Sequence, residues 1–380
     1  MEKKMKNKKI IICLILALAV SFGACNDPVF YTVSVEPPIA DPLISGSPTN
    51  FVVFKNIMYV ASGRNVYRYD GKNWDLMSSQ PGGRVLQLAA TDNHLYALCL
   101  EDSADYTILK RTDDSRTWKE ITGNTGDYNM LQSIYAVGNE LFIGAEGSGY
   151  YIILYMDGDG FKPLITGGTG TETGALLCGA AYNGSNYFLC TRSNTIYVAQ
   201  QAVASGTTVP MSINENINFA GIINLGINNI IVAISRDGNL YYVDPKITSV
   251  PNVSLGGRSA TGALAVWRDA SEIPRLLLAG RQDRLDYSVD SGYTYGYLEL
   301  ELDSTGIKAR KNFIEPGEAP PSSVDDNERY VSTIGKNPVN YIFQTPPEIN
   351  TEMTLFASTH KNGVWSYRMR DGLWQWNAEE

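Results

Sequence analysis

The chain alternates short apolar runs with short polar turns along almost its whole length. One clear unit consists of the apolar run 51–61, a polar turn, and the aromatic run 66–74. Runs of this kind, bounded by Gly, Asn and Asp, are typical of β-strands. Similar units recur about every 40 to 45 residues, and no long stretch has helical periodicity. The pattern predicts an all-β domain built from repeats of about four strands each.

Seven such repeats can be counted from their first apolar runs, at residues 51–61, 86–100, 131–145, 176–191, 222–235, 264–280 and 341–359. The first hairpins of three early repeats carry Asn56, Asn93 and Asn139. Asn tolerates the positive φ that tight hairpins require. The aromatic end of the chain, residues 372–376, predicts a final strand held in the fold. We expect seven repeats, with six or eight as alternatives.

Residues 288–295 carry a further motif, S-x-D-x-G-x-T-aromatic. The residues that define it are Ser288, Asp290, Gly292, Thr294 and Tyr295. A degenerate copy at 111–118 keeps Asp113, Thr117 and Trp118. The motif resembles the Asp-box, or BNR repeat, of sialidase-like β-propellers. The resemblance implies that the repeats are four-stranded propeller blades. The Asp carboxylate would accept turn N–H groups, Gly would supply a positive φ, and the aromatic ring would fill the gap between blades.

The N-terminus has the features of an export signal. A lysine-rich start is followed by the apolar run 10–20 and by small residues that lead into Cys25. We predict a signal peptide over residues 1–24, too short to span a membrane stably. Cys25 directly after Gly23 and Ala24 resembles the bacterial lipobox, in which the cysteine is lipidated. This resemblance implies a lipoprotein of the bacterial cell envelope; ordinary secretion with an incidental Cys25 is the alternative.

Two segments outside the repeats are rich in proline. Residues 25–49 contain five prolines and predict an extended tether between the lipid and the domain. Part of this segment, Val29 to Val35, alternates apolar and polar residues and could instead form a strand that closes the propeller. The propeller domain is expected to span residues 50–380. Within it, residues 303–329 form an acidic, proline-rich insertion that we expect to be a long surface loop. That loop is either a lid or partner-binding element, or a tolerated excursion of the chain.

The acidic charge and the scarcity of histidine argue against several classes of function. The formal net charge is −9, and the basic residues of the signal peptide are lost on processing. An acidic surface argues against binding to nucleic acid and against a basic membrane-binding patch. We therefore expect lipidated Cys25, and not surface charge, to provide the membrane attachment. The chain has two histidines, His94 and His360, and no recognisable ligand spacing. We therefore predict no metal site and no cofactor.

Sialidase chemistry is the enzymatic activity that the Asp-box resemblance suggests. It needs three arginines, a tyrosine nucleophile with a glutamate, and an aspartate acid/base. The family's Phe/Tyr-Arg-Ile-Pro motif is missing, and the segment 272–275 has the order Glu-Ile-Pro-Arg. We therefore expect a non-catalytic binding or scaffold module for a protein or glycan partner. The alternatives are a sialidase-like glycan-active enzyme and an assembly factor for an envelope complex.

Three cysteines lie in the predicted strands of the mature domain, Cys99, Cys178 and Cys190. The last two flank a turn almost symmetrically, which makes a cross-strand disulfide conceivable. Disulfides between neighbouring strands are strained and uncommon. Buried free thiols are the favoured expectation for all three.

Overall fold

The computed structural model describes residues 43–101, 107–113, 116–121, 130–146, 151–166, 339–370 and 373–379, together with the strands between residues 176 and 307. Regular structure in these residues consists of β-strands. No described segment forms a helix long and apolar enough to cross a membrane. The predicted signal peptide, Cys25, the motif at 288–295 and most of the insertion at 303–329 lie outside the described residues.

The described strands form seven antiparallel sheets of four consecutive strands each. The first three sheets are β1–β4 (Val52–Phe54, Ile57–Ser62, Asn65–Tyr69, Trp74–Leu76), β5–β8 (Arg84–Ala90, Leu95–Leu100, Thr107–Thr112, Lys119–Ile121) and β9–β12 (Met130–Val137, Glu140–Glu146, Tyr151–Asp157, Gly160–Thr166). The next two are β13–β16 (Leu176–Ala181, Asn186–Thr191, Thr195–Gln200, Val209–Ser212) and β17–β20 (Ile217–Asn224, Asn229–Ser235, Asn239–Val243, Asn252–Ser254). The last two are β21–β24 (Leu264–Arg268, Pro274–Ala279, Tyr297–Asp303, Gly306–Ile307) and β25–β28 (Val339–Gln344, Leu355–Thr359, Val364–Arg370, Leu373–Ala378).

Turn chemistry and strand patterning explain why these segments form hairpins. In the first hairpin, Lys55 and Asn56 both have positive φ, 50° and 57°, which matches a two-residue turn between twisted strands. The strand after it, β2, buries four consecutive residues, Met58 to Ala61, because sheets cover both of its faces. The number of blades in the complete chain stays a prediction.

Neighbouring sheets contact each other through their first strands, from β1 to β5 and onward to β25. Apolar cores fill the spaces between successive sheets. One core joins Tyr59 of the first sheet to Leu88 of the second, and another joins Leu98 of the second to Ile143 of the third. Such radial packing of four-stranded sheets defines the fold as all-β, a β-propeller.

The first and last sheets also pack together, along what we call the closure seam, formed by residues 43–76 and 339–379. The Phe51 ring stacks on Phe343 with centroids 6.0 Å apart, and Phe356 meets Trp74 edge-on at 5.4 Å. The backbone N–H of Leu43 donates to the Glu379 carbonyl at 2.9 Å. The packed domain therefore begins before residue 50, inside the segment that the sequence assigns to the tether.

Two further sequence expectations fall on described strands. The aromatic end of the chain forms β28, which pairs with β27 along its full length, so the predicted final strand is confirmed.

Cys178 of β13 and Cys190 of β14 are directly opposed Cα partners. Their redox state stays a prediction. Cys99 is a buried free thiol, and burial raises its pKa to about 12.

Candidate functional site

The described part of the degenerate Asp-box lies in the turn between β7 and β8. Trp118 packs against the core between the first two sheets, and its indole N–H donates to the Ser79 carbonyl at 3.2 Å. The Asp113 carboxylate lies 3.2 Å from Nε2 of His94, and its backbone carbonyl accepts a bond from the Lys55 ammonium at 2.6 Å. Thr117 directly precedes the tryptophan. These contacts tie the first two sheets together, as a structural device would, and the Asp-box assignment itself stays a prediction.

A second polar cluster joins the second and third sheets on the same rim. Asp159, in the turn between β11 and β12, lies 2.7 Å from the Arg111 guanidinium and 3.5 Å from the Lys119 ammonium. The guanidinium, and then the ammonium, hold the pKa of this carboxyl below its usual range. The aspartate is therefore engaged in a charge network between blades. Among the described residues, no group of three or more His, Cys, Asp or Glu side chains could hold a metal ion.

The candidate binding site is a pocket of about 290 Å³ at the end of β25. Five of its seven lining residues are apolar: Ala265, Phe343, Pro346, Pro347 and Met353. The other two, Gln344 and Thr345, carry uncharged polar groups. The lining therefore combines apolar side chains with polar groups, as ligand pockets commonly do. This lining suits the binding of a ligand through apolar contacts and hydrogen bonds. The seven residues that line the pocket offer no ionisable group for acid–base chemistry.

The loop of residues 345–354 builds one wall of this pocket. Thr345 closes the loop because its N–H and its hydroxyl both donate to the Thr354 carbonyl, at 3.0 and 3.1 Å. Inside the loop, the Met353 N–H donates to the Asn350 carbonyl at 2.9 Å, and Met353 adopts a positive φ of 49°. A positive φ is uncommon for a residue other than glycine, and the hydrogen bonds of the loop hold Met353 in this conformation. The pocket wall is therefore preformed.

Asn350 fastens this loop to the first sheet across the closure seam. Its side-chain nitrogen, which carries two N–H groups, lies 3.3 Å from the Tyr69 hydroxyl, 3.4 Å from the Gly71 carbonyl and 3.2 Å from the Thr354 hydroxyl, all three within hydrogen-bonding distance. Gly71 has a φ of +99°, and a Cβ there would lie 2.2 Å from the Ile349 carbonyl oxygen. Burial raises the pKa of Tyr69, so its hydroxyl stays neutral and available for hydrogen bonding.

The sequence pattern does not indicate this pocket, because the apolar residues of 341–359 resemble one continuous strand repeat. The break in that repeat has a visible signal, the Pro346–Pro347 pair followed by Asn350. Prolines cannot donate to a strand ladder, and Asn favours turns. Those residues predict a loop, but only the packing of β21 and β25 shows that the loop borders a cavity.

No family model and no curated protein sequence matches this chain. Solved structures of similar fold include YCF48 bound to D1 peptide, with a TM-score of 0.53 and 12% identity over 89% of this chain and 97% of that chain. The GH74 enzyme of Niastella koreensis matches with a TM-score of 0.58 and 13% identity over 90% of this chain and 55% of that chain. Catalytically inactive virginiamycin B lyase from Staphylococcus aureus, with quinupristin, matches with a TM-score of 0.54 and 11% identity over 85% of this chain and 95% of that chain.

All three are propeller-type proteins, which agrees with the sheet arrangement described above. At 11 to 13% identity the similarity shows the fold alone. The set includes enzymes as well as a protein with a bound peptide, and a fold of this kind hosts unrelated functions. The class of this chain is therefore β-propeller, and its function has to be argued from its own site.

Proposed function

We propose that this chain is a lipid-anchored β-propeller of the bacterial cell envelope that acts as a non-catalytic binding or scaffold module for a protein or glycan partner. The observation that carries the proposal is the pocket bordered by residues 345–354. Its walls are preformed by the hydrogen bonds of Thr345 and Asn350. Preorganisation lowers the entropic cost of holding a partner, which favours a binding role.

The chemistry of the pocket supports binding more than catalysis. Hydrolysis of a glycoside requires two carboxyl groups, or a tyrosine with a carboxylate, next to the bond that breaks. The described lining combines aliphatic, aromatic, amide and hydroxyl groups. Those groups suit contact with an apolar ligand surface and a few orienting hydrogen bonds.

The proposal that the protein is attached to a membrane is supported by features of its sequence. Residues 10–20 and the segment that ends in Cys25 support export and lipidation, and the prolines of residues 25–49 support a tether. A module held at the membrane by a flexible tether meets envelope partners at a raised local concentration. This arrangement suits a scaffold better than a freely diffusing enzyme.

The test uses the full chain expressed in a bacterial host and extracted from its membranes with detergent. Membrane attachment is measured by fractionation, and we expect Cys25→Ser to release the protein into the soluble fraction. Activity is measured by incubating the purified chain with sialosides and with other glycosides, and we expect no turnover. Release of sialic acid would reject the binding role and favour the sialidase-like alternative.

A further inference from the structure

We propose that the pocket bordered by residues 345–354 binds a partner-protein segment in which an apolar side chain is flanked by lysine or arginine. This inference rests on the proposed binding function and names the kind of partner. It combines two properties of the described residues: an apolar lining, and two exposed carboxylates that flank the lining residues in the chain.

The apolar lining selects an apolar side chain. Phe343, whose ring stacks on Phe51 in the closure seam, and the polarisable Met353 are two of the apolar lining residues. The two polar side chains of the wall each donate a hydrogen bond inside the protein. The Gln344 amide donates to the Met353 carbonyl at 3.3 Å, and the Thr345 hydroxyl donates to the Thr354 carbonyl.

The two exposed carboxylates beside the lining residues favour a partner segment that carries positive charge. Glu348 directly follows the lining residue Pro347, and Glu352 directly precedes the lining residue Met353; both glutamates are exposed. The whole chain is also acidic, with a formal net charge of −9. Charge complementarity of this kind steers association and discriminates between partners. A segment with a cation on each side of an apolar residue would match both the pocket and its flanks.

The experiment measures binding of labelled peptides to the full chain by fluorescence anisotropy. The probe is a fluorescein-labelled peptide of sequence GSKFKSG. Two comparison peptides, GSEFESG and GSKSKSG, remove the cations and the apolar residue respectively. We expect GSKFKSG to bind most tightly and to weaken as salt is raised, because exposed charges are screened.

Variants then connect binding to the pocket. Replacing Glu348 and Glu352 with Gln should weaken GSKFKSG by about twofold to fivefold per carboxylate, the range of exposed ion pairs. Glu120→Gln, which changes an exposed glutamate on β8, is the control for net charge. Met353→Asn should weaken binding by about fivefold through loss of apolar contact, and Asn tolerates the positive φ at this position. Met130→Asn, at an exposed methionine on β9, is its control.

The outcomes separate this inference from the function on which it rests. Equal binding of GSKFKSG and GSEFESG would overturn the basic preference while leaving a binding pocket. Unchanged binding by Met353→Asn would also overturn the inference, because the peptide would then bind elsewhere. If Met353→Asn does not fold, Pro347→Ser at an exposed lining residue replaces it. Cleavage of the peptides, in contrast, would overturn the non-catalytic function itself.

Discussion

Asn50 and Leu88 form a two-point hydrogen-bonded pair across neighbouring sheets. The Leu88 N–H donates to Oδ1 of Asn50 at 3.0 Å, and Nδ2 of Asn50 donates to the Leu88 carbonyl at 2.8 Å. Gln87 repeats the arrangement one sheet further, bonding the N–H and carbonyl of Ile134 at 3.1 and 2.7 Å. Side-chain amides therefore satisfy backbone groups between the innermost strands, where no strand ladder crosses from one sheet to the next.

Removing this pair should destabilise the propeller. Asn50→Ala leaves both partly buried backbone groups of Leu88 without their partner, which costs about 1–3 kcal/mol in the free energy of unfolding. Asn65→Ala, at an exposed position of β3, is the control and should change stability by less than about 0.5 kcal/mol. Urea unfolding followed by tryptophan fluorescence measures both. Equal midpoints for the two variants would show that the amide contributes no stability.

The closure seam should be sensitive to a single methyl group at Gly71. Gly71→Ala places a Cβ against the Ile349 carbonyl and also strains a φ of +99°. Gly63→Ala has a smaller backbone penalty, since its φ of +61° lies in the left-handed α region, and it meets nothing within 4 Å. We expect the Gly63 variant to lose about 1–2 kcal/mol, the cost of the left-handed conformation, and the Gly71 variant to lose clearly more. Thermal unfolding of the two proteins side by side makes the comparison, and identical melting temperatures would contradict the close approach.

Asp70 should contribute stability that depends on pH. Its Oδ1 accepts the N–H groups of Asn73 and Lys72, both at 2.9 Å, and these bonds hold the pKa of the carboxyl below its usual range. A carboxyl with a lowered folded pKa stabilises the fold above its unfolded pKa of about 3.9. That contribution is lost as the pH falls through the lower, folded pKa.

Asp70→Asn keeps an acceptor oxygen but removes the titration. Wild type should therefore lose more stability than the variant between about pH 5 and about pH 2, the region around the carboxyl pKa values. Urea midpoints measured across that range test the difference. Parallel pH profiles for the two proteins would show that the turn hydrogen bonds do not favour the ionised carboxyl.

Cys99 should resist alkylation in the folded protein. It is fully buried, and its pKa of about 12 leaves almost no thiolate at neutral pH. We expect iodoacetamide at pH 8 to modify Cys99 only after denaturation, as detected by peptide mass spectrometry. Rapid labelling of the native protein would contradict its burial. The same digest, prepared without reductant, reports whether Cys178 and Cys190 are separate alkylated thiols or one linked pair.

Much of the strand structure could be predicted from local pattern. The apolar runs and the turn residues Asn56 and Asn139 predict hairpins, because tight turns accept few residue types and strand alternation has a fixed period. The aromatic end of the chain likewise predicts β28. The pocket was missed, because it is formed by residues far apart in the chain, Ala265 of β21 and the residues at the end of β25. The hydrogen bond of Leu43 to Glu379 likewise joins distant positions.

The sequence by itself determined a repeated, four-stranded all-β architecture, because strand period and turn chemistry act over a few residues. Only the tertiary structure decided how the sheets hold one another. The pairing of Asn50 with Leu88, the stacking of Phe51 on Phe343 and the fastening of Asn350 to Tyr69 join residues at least 38 positions apart. Many side chains lie in similar local sequence patterns, so the sequence alone does not show which two of them pair across neighbouring sheets. Close packing of the whole ring selects one set and forms the pocket beside it.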